Sequence, residues 1–194
     1  MKLLRSHLSL IATLWWASAS ICAFAGTVES FFEKFSGLKV NTQNTGQLGE
    51  LVAMADLKES YPETTHEMLN GIKYFRGSEV VGELDIVIID KSSQKVVEVV
   101  EVKTSKDPSS VYSKASKQLE RFVSEFQAPE INLTLEGTLI DKALFSVPFK
   151  TRVMGPKPNN PVNRDYDLHF SINHSELEDL LMKLSLHSCE KAAS

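Results

Sequence analysis

The sequence predicts an α/β protein whose core runs helix, three strands, helix, strand, followed by a strand–helix extension. Three observations predict it. Residues 82–105, GELDIVIIDKSSQKVVEVVEVKTS, hold two Val- and Ile-rich runs around a polar turn, the composition of paired strands. Apolar residues recur at helical spacing in two windows that flank this pair, residues 45–60 and 111–126. At 194 residues, 42% hydrophobic and 24% charged, the chain has the size and composition of one globular domain that buries a core without staples.

The first 25 residues stand apart. Lys2 and Arg5 precede an apolar run over residues 8–22, and Ala23-Phe24-Ala25 puts small residues at the two positions a signal peptidase reads. This is the pattern of a secretory signal peptide cut after Ala25. It predicts a single domain over residues 26–194, no remaining membrane span, and a periplasmic or secreted location. Loss of Lys2 and Arg5 takes the basic residues from 21 to 19 against 25 acidic ones, a net charge of −6. That balance argues against a tight, general nucleic-acid binder, which carries a basic excess. Any nucleic acid would have to meet a local basic patch or a metal. Cys189 is the one cysteine left, so the predicted fold uses no internal disulfide.

Val28, Phe31, Phe32 and Phe35 predict a short leading helix over residues 27–35, and residues 36–44 read as a polar loop. Residues 45–60 form the first core helix, with Leu48, Leu51, Val52, Met54, Ala55 and Leu57 on its apolar face. Tyr61-Pro62 ends it, because the residue before proline avoids the helical region. A polar connection over 62–70 leads to a short first strand, 71–75. The central pair follows at 83–89 and 95–103, joined by residues 90–94, which have no apolar side chain. Asp107-Pro108 ends a loop over 104–110 and signals a helix start. The next helix, 111–126, buries Val111, Ala115, Leu119, Phe122, Val123 and Phe126. Its other side carries Lys114, Lys117, Gln118 and Arg121, the only dense basic helix face in the chain. Residues 128–141 read as a connection with an extended piece at 131–135. Residues 142–149, KALFSVPF, read as the fourth strand, and residues 151–164, with three prolines, as a long loop. An extra strand over 166–172 and a helix over 173–186, capped by Asn173 or Ser175, complete the chain. Residues 187–194 are expected to fray. His169 and His174 stand in no ligand spacing and read as surface or packing residues.

The chemistry gathers on the central pair. Side chains alternate along a strand, so Asp85 is expected to share a face with Glu83, Val87 and Ile89. Glu101 and Lys103 are expected on the face of Val97 and Val99, with Glu98 on the other. A hairpin brings the open ends together and puts Asp85 near Glu101 and Lys103. Two carboxylates and an ammonium at the end of an apolar sheet are costly to desolvate unless paired or metal-bound. Hard oxygen donors suit Mg²⁺ or Mn²⁺, and a lysine beside them suits a phosphate.

Asp85, fifteen residues, then Glu101-Val102-Lys103, in the form GELD…VVEVKTS, resembles the active-site signature of the PD-(D/E)xK nuclease superfamily. It is most similar to the resolvase-like branch, which includes the Holliday-junction resolvases; Leu84 stands where the signature has proline. The predicted element order is similar to the core of that restriction-endonuclease-like fold, over about residues 45–149. The resemblance implies a metal-dependent endonuclease that hydrolyses DNA, with Mg²⁺ or Mn²⁺ held by Asp85, Glu101, the Val102 carbonyl and Glu50. Glu50 enters because Gly46, Gly49, Glu50 and Ala53 stand in a close version of that fold's G-x-x-G-E-x-x-A helix context. From the residues alone, it is equally a surface glutamate on an amphipathic helix. Lys103 would orient water or steady the scissile phosphate. Lys114 and Gln118, one turn apart on the following helix, would guide the DNA backbone. Resolvase-like proteins often pair, which makes a homodimer an expectation, though no segment marks a dimer face. A second reading keeps the fold and drops the chemistry: a catalytically inactive module acting through protein–protein contacts outside the cytoplasm. The acidic net charge and the signal pattern favour it.

Overall fold

Among the described residues a seven-stranded mixed sheet carries four α-helices, three against one face and one against the other. The computed structural model describes residues 26–38, 40–41, 44–146, 148–159 and 166–193; the predicted signal peptide lies outside them. The helices are α1 (Val28–Phe35), α2 (Thr45–Ser60), α3 (Pro108–Glu125) and α4 (His174–Ala193). The strands are β1 (His66–Arg76), β2 (Glu79–Asp90), β3 (Lys95–Val102), β4 (Ile131–Leu135), β5 (Thr138–Ile140), β6 (Lys150–Lys157) and β7 (Leu168–Asn173), in the sheet order β5-β4-β1-β2-β3-β6-β7. Pairing is antiparallel from β5 to β3 and parallel from β3 through β6 to β7. Among the described residues no helix is long and apolar enough to cross a membrane.

Two cores follow from the two faces. On one, Leu48, Val52 and Leu57 of α2, Phe31 and Phe35 of α1, and Leu177, Leu180 and Leu184 of α4 cover Ile86, Ile88, Val100 and Val102. On the other, Ala115, Leu119 and Phe122 of α3 cover Val87, Val96, Val99 and Val153. The helix α2 has the bounds expected of it, starting on an Asn44 side chain that accepts from the Gly46 N–H at 2.9 Å. The next helix, α3, starts at Pro108, three residues before its expected first turn, and Val123 is 37% exposed rather than buried.

Four expectations for the chain's course are corrected. The segment 62–70 is not all connection: β1 begins at His66 and pairs with the long β2 from His66↔Asp90 onward. Its outer residues Glu67 and Asn70 are exposed, so the strand buries too little to announce itself by hydrophobicity. The fourth strand is not 142–149. Residues Lys142–Leu144 make a single 3-10 turn, and Phe145 and Phe149 join Phe122 and Phe126 in an aromatic cluster with ring centroids 5.3–6.4 Å apart. The sheet position is filled by β6, inside the expected loop. Val153–Pro156 are buried on both faces, so no alternation marks them. Pro156 is tolerated because the β6–β7 register shifts there. Gly155 is required, since a Cβ would lie 2.3 Å from the Tyr166 ring. Finally, α4 does not fray after residue 186. It runs to Ala193 because α1 lies on it, through the Phe32–His187 ring contact and the Lys183–Glu29 ion pair at 2.7 Å. Its cap is Asn173, in a reciprocal pair with Glu176: Glu176 N–H to Asn173 Oδ1 at 3.0 Å, and Asn173 N–H to Glu176 Oε2 at 2.7 Å. Ser175 lies inside the helix.

Candidate active site

The site is made by a hairpin that is tight at one end and open at the other. At the tight end, the Asp90 carboxylate accepts from the Ser92 hydroxyl, the Ser93 N–H and the Ser93 hydroxyl at 2.5, 2.8 and 3.1 Å. Those bonds pin the turn and hold the Asp90 carboxyl down at about 2. Along the ladder, a β-bulge between Ile88 and Ile89 skips Val97. Val97 therefore packs on the α2 face, not with Val99 as strict alternation predicts.

At the open end the strands part. Leu84 and Ile86 are two residues apart yet pack on opposite faces, so alternation breaks at Asp85. Gly71 of β1, with φ +75°, falls between the pairs Asn70↔Ile86 and Ile72↔Leu84, opposite this break. Asp85 is thereby removed from the shared face with Val87 and Ile89 that regular alternation predicts. Its Oδ2 accepts the Val102 N–H at 2.7 Å, where a strand carbonyl would otherwise sit. The next amide, Lys103 N–H, donates to the Met154 carbonyl at 2.9 Å. The third strand thus parts from β2 at the residues that carry the chemistry while keeping β6, its partner from Glu98↔Lys150 to Val102↔Met154.

Glu101 is 1% exposed and doubly held. Lys103 Nζ lies 2.5 Å from its Oε1, and Gln118 Nε2 donates to its Oε2 at 3.2 Å and to the Glu83 carbonyl at 3.1 Å. Burial pushes the Glu101 carboxyl up to about 7 and Asp85 adds to it, against the pull of Lys103. The Asp85 carboxyl is also raised, by burial, with the Val102 N–H and Lys103 opposing. Glu50 reaches the same field from α2: burial, then Asp85 and Glu83, push it to about 7, opposed by a hydrogen bond from Asn70 and by Lys103. Gly49 sets that approach, because a Cβ there would lie 2.3 Å from Thr104 Cγ2 and 3.5 Å from Val102 Cγ1.

Of the expected site residues, Asp85, Glu101, Val102, Lys103 and Gln118 meet directly, and Glu50 joins them through the electrostatic field. Lys114 does not: it is exposed on α3 and has no partner among the described residues. Gln118 reaches a carboxylate and a carbonyl of this chain. Sequence reasoning missed Asn70 beside Glu50 and the contact of Gln118 with the Glu83 carbonyl. It also missed what surrounds Glu98. That carboxylate is fully buried on the opposite face, where the Arg152 guanidinium takes both its oxygens, Nη2 to Oε2 at 2.5 Å, and the Tyr61 hydroxyl donates to it. Among the described residues no group of three or more His, Cys, Asp or Glu stands ready to hold a metal ion. What the site does offer a cation is three oxygen donors whose charged forms disfavour one another, the donor chemistry of a hard divalent ion. No protein-family model, curated protein or solved structure matches the chain.

Proposed function

We propose that the protein is a divalent-cation-dependent endonuclease of the PD-(D/E)xK type, in its resolvase-like branch, hydrolysing DNA phosphodiester bonds. The observation that carries the reading is the convergence of Asp85, Glu101 and Lys103 where β2 and β3 part. Asp85 and Glu101, with Glu50 and the Val102 carbonyl, are the residues to hold Mg²⁺ or Mn²⁺. When bound, such a cation supplies Lewis acidity, acidifying water and offsetting charge on the phosphoryl oxygens.

The chain's own residues account for the rest. Lys103 has an ammonium at the mouth of the site, 28% exposed, while its partner Glu101 is buried. From there it steadies a non-bridging phosphate oxygen or orients the attacking water. Gln118 is a positioning residue: its amide fixes the Glu101 carboxylate and ties it to the β2 backbone. Water attacks phosphorus and gives up a proton to solvent, the bond to the leaving oxygen breaks, and that oxygen takes a proton from solvent. No covalent enzyme intermediate is needed.

The test is cleavage of plasmid and oligonucleotide DNA with Mg²⁺, Mn²⁺ or EDTA, beside Lys103→Ala and Asp85→Asn. Cutting should require the cation and fall by about 10²–10³-fold in Lys103→Ala, with circular dichroism unchanged. A folded wild-type protein that cuts no form of DNA or RNA would sink the enzyme and leave the inactive, protein-binding module.

A further inference from the structure

Strands β3, β6 and β7 run parallel, so their C-terminal ends open on the same side of the sheet, where Glu101 and Lys103 lie. Ligands in open α/β sheets bind at such ends. Just past them is a cavity of about 270 Å³ lined by Ser105, Lys106, Lys157, Asn159, His169 and His174. The first residues of α3 and α4, Pro108 and His174, both border it.

Among the described residues the lining holds two lysines and two imidazoles and no carboxylate, in a chain whose acidic residues outnumber its basic ones, 25 to 21. The carboxylate behind it is Glu178, which pairs with Lys106 at 2.8 Å. Its Oε2 is 3.7 Å from His174 Nδ1, an ion-pair distance when the ring is protonated but beyond hydrogen-bond reach. His174 Nδ1 is closed off from solvent and makes no hydrogen bond among the described residues. Lys157 is exposed and makes no ion pair among them. Ammonium, imidazole, hydroxyl and amide donors at two helix N-termini select an anion. The volume is just below that of small-molecule sites, which run about 300–1,000 Å³, so the anion is small.

We propose that this cavity binds a phosphate group. Resting on the nuclease reading, the phosphate is one in the DNA backbone beside the bond that is cut. Lys106 follows Lys103 by three residues in the same loop, and the Lys103–Met154 backbone bond ties the two sites to one pair of strands. The cavity is thus the local basic patch that an acidic protein needs in order to hold nucleic acid.

Two titrations test it on wild type, Lys157→Ala, Lys106→Ala and Asp85→Asn. Inorganic phosphate is followed through the His169 and His174 ring resonances, and a labelled oligonucleotide in EDTA is followed by anisotropy. Phosphate should shift both rings, in Asp85→Asn as in wild type. Lys157→Ala should weaken phosphate and oligonucleotide binding about tenfold each and lower the salt slope of oligonucleotide binding by about 1. Weakening of phosphate alone would keep a free-phosphate site and overturn its role on the DNA backbone. Ring resonances that ignore phosphate would overturn the proposal, whether or not the protein cuts DNA. Phosphate binding without any cleavage would instead refute the nuclease reading and leave the cavity assignment standing.

Discussion

On the proposed reading Asp85 serves two purposes, and its substitutions separate them. Its carboxylate faces the candidate cation site and also accepts the Val102 amide at 2.7 Å. Asparagine keeps an acceptor for that amide; alanine leaves it buried and unpaired, which costs about 1–3 kcal/mol. Both variants should fail to cut DNA, but Asp85→Ala should unfold at a lower urea concentration than Asp85→Asn. Equal midpoints would mean the Val102 bond contributes nothing to stability. At this scale much of the site was legible beforehand. Asp85, Glu101 and Lys103 lie on two adjacent strands, where local pairing brings them together. Gln118 was named through the resemblance, as a residue that guides DNA; the structure puts its amide on Glu101 and on the Glu83 carbonyl. Lys114, one turn before it, is exposed and touches none of these groups, which helical spacing alone does not reveal. Glu98 was out of reach, because its partners Tyr61 and Arg152 lie 37 and 54 residues away in sequence.

Among the elements, α2 depends on a residue that weakens it. Glycine inside a helix costs about 1 kcal/mol against alanine, so Gly49→Ala should stabilise an unconstrained α2. Here the added Cβ would meet Thr104 Cγ2 at 2.3 Å, and a β-branched side chain has few rotamers into which to retreat. The clash should win: Gly49→Ala should lower the melting temperature and move Glu50 away from Asp85, reducing cleavage. A higher melting temperature with full activity would show that Thr104 yields. The β2–β3 turn makes a pH prediction. The folded Asp90 carboxyl titrates at about 2 against an ordinary 3.8. Its contribution is therefore complete above 3.8 and is lost as pH falls through about 2. Urea midpoints of wild type and Asp90→Asn should differ at neutral pH and converge across that window. The end of α2 could be read from sequence to the residue because Tyr61-Pro62 stops it. The failure at 142–149 and 150–157 has a physical cause. An aromatic cluster and a strand both ask for apolar residues, and a strand buried on both faces has no alternation to distinguish it.

Across the whole molecule, the Glu98–Arg152 pair fastens the antiparallel half of the sheet to the parallel half, with Tyr61 bringing in the end of α2. Arg152→Met should cost about 3–5 kcal/mol, because it strands a buried carboxylate. Adding Glu98→Met should recover most of that loss, and a double variant no more stable than the single one would contradict this account. The same pairing has a consequence in time. A ribosome adds about 5–20 residues per second, so the 54 residues between Glu98 and Arg152 take roughly 3–11 s to appear. Until they do, the strand that ends up between β2 and β6 is the sheet's bare margin, a valine-rich template for any neighbouring chain. Glu98 and Glu101 interrupt that template with charge, one toward each face. Until β6 arrives, the two carboxylates should keep that margin from being uniformly apolar.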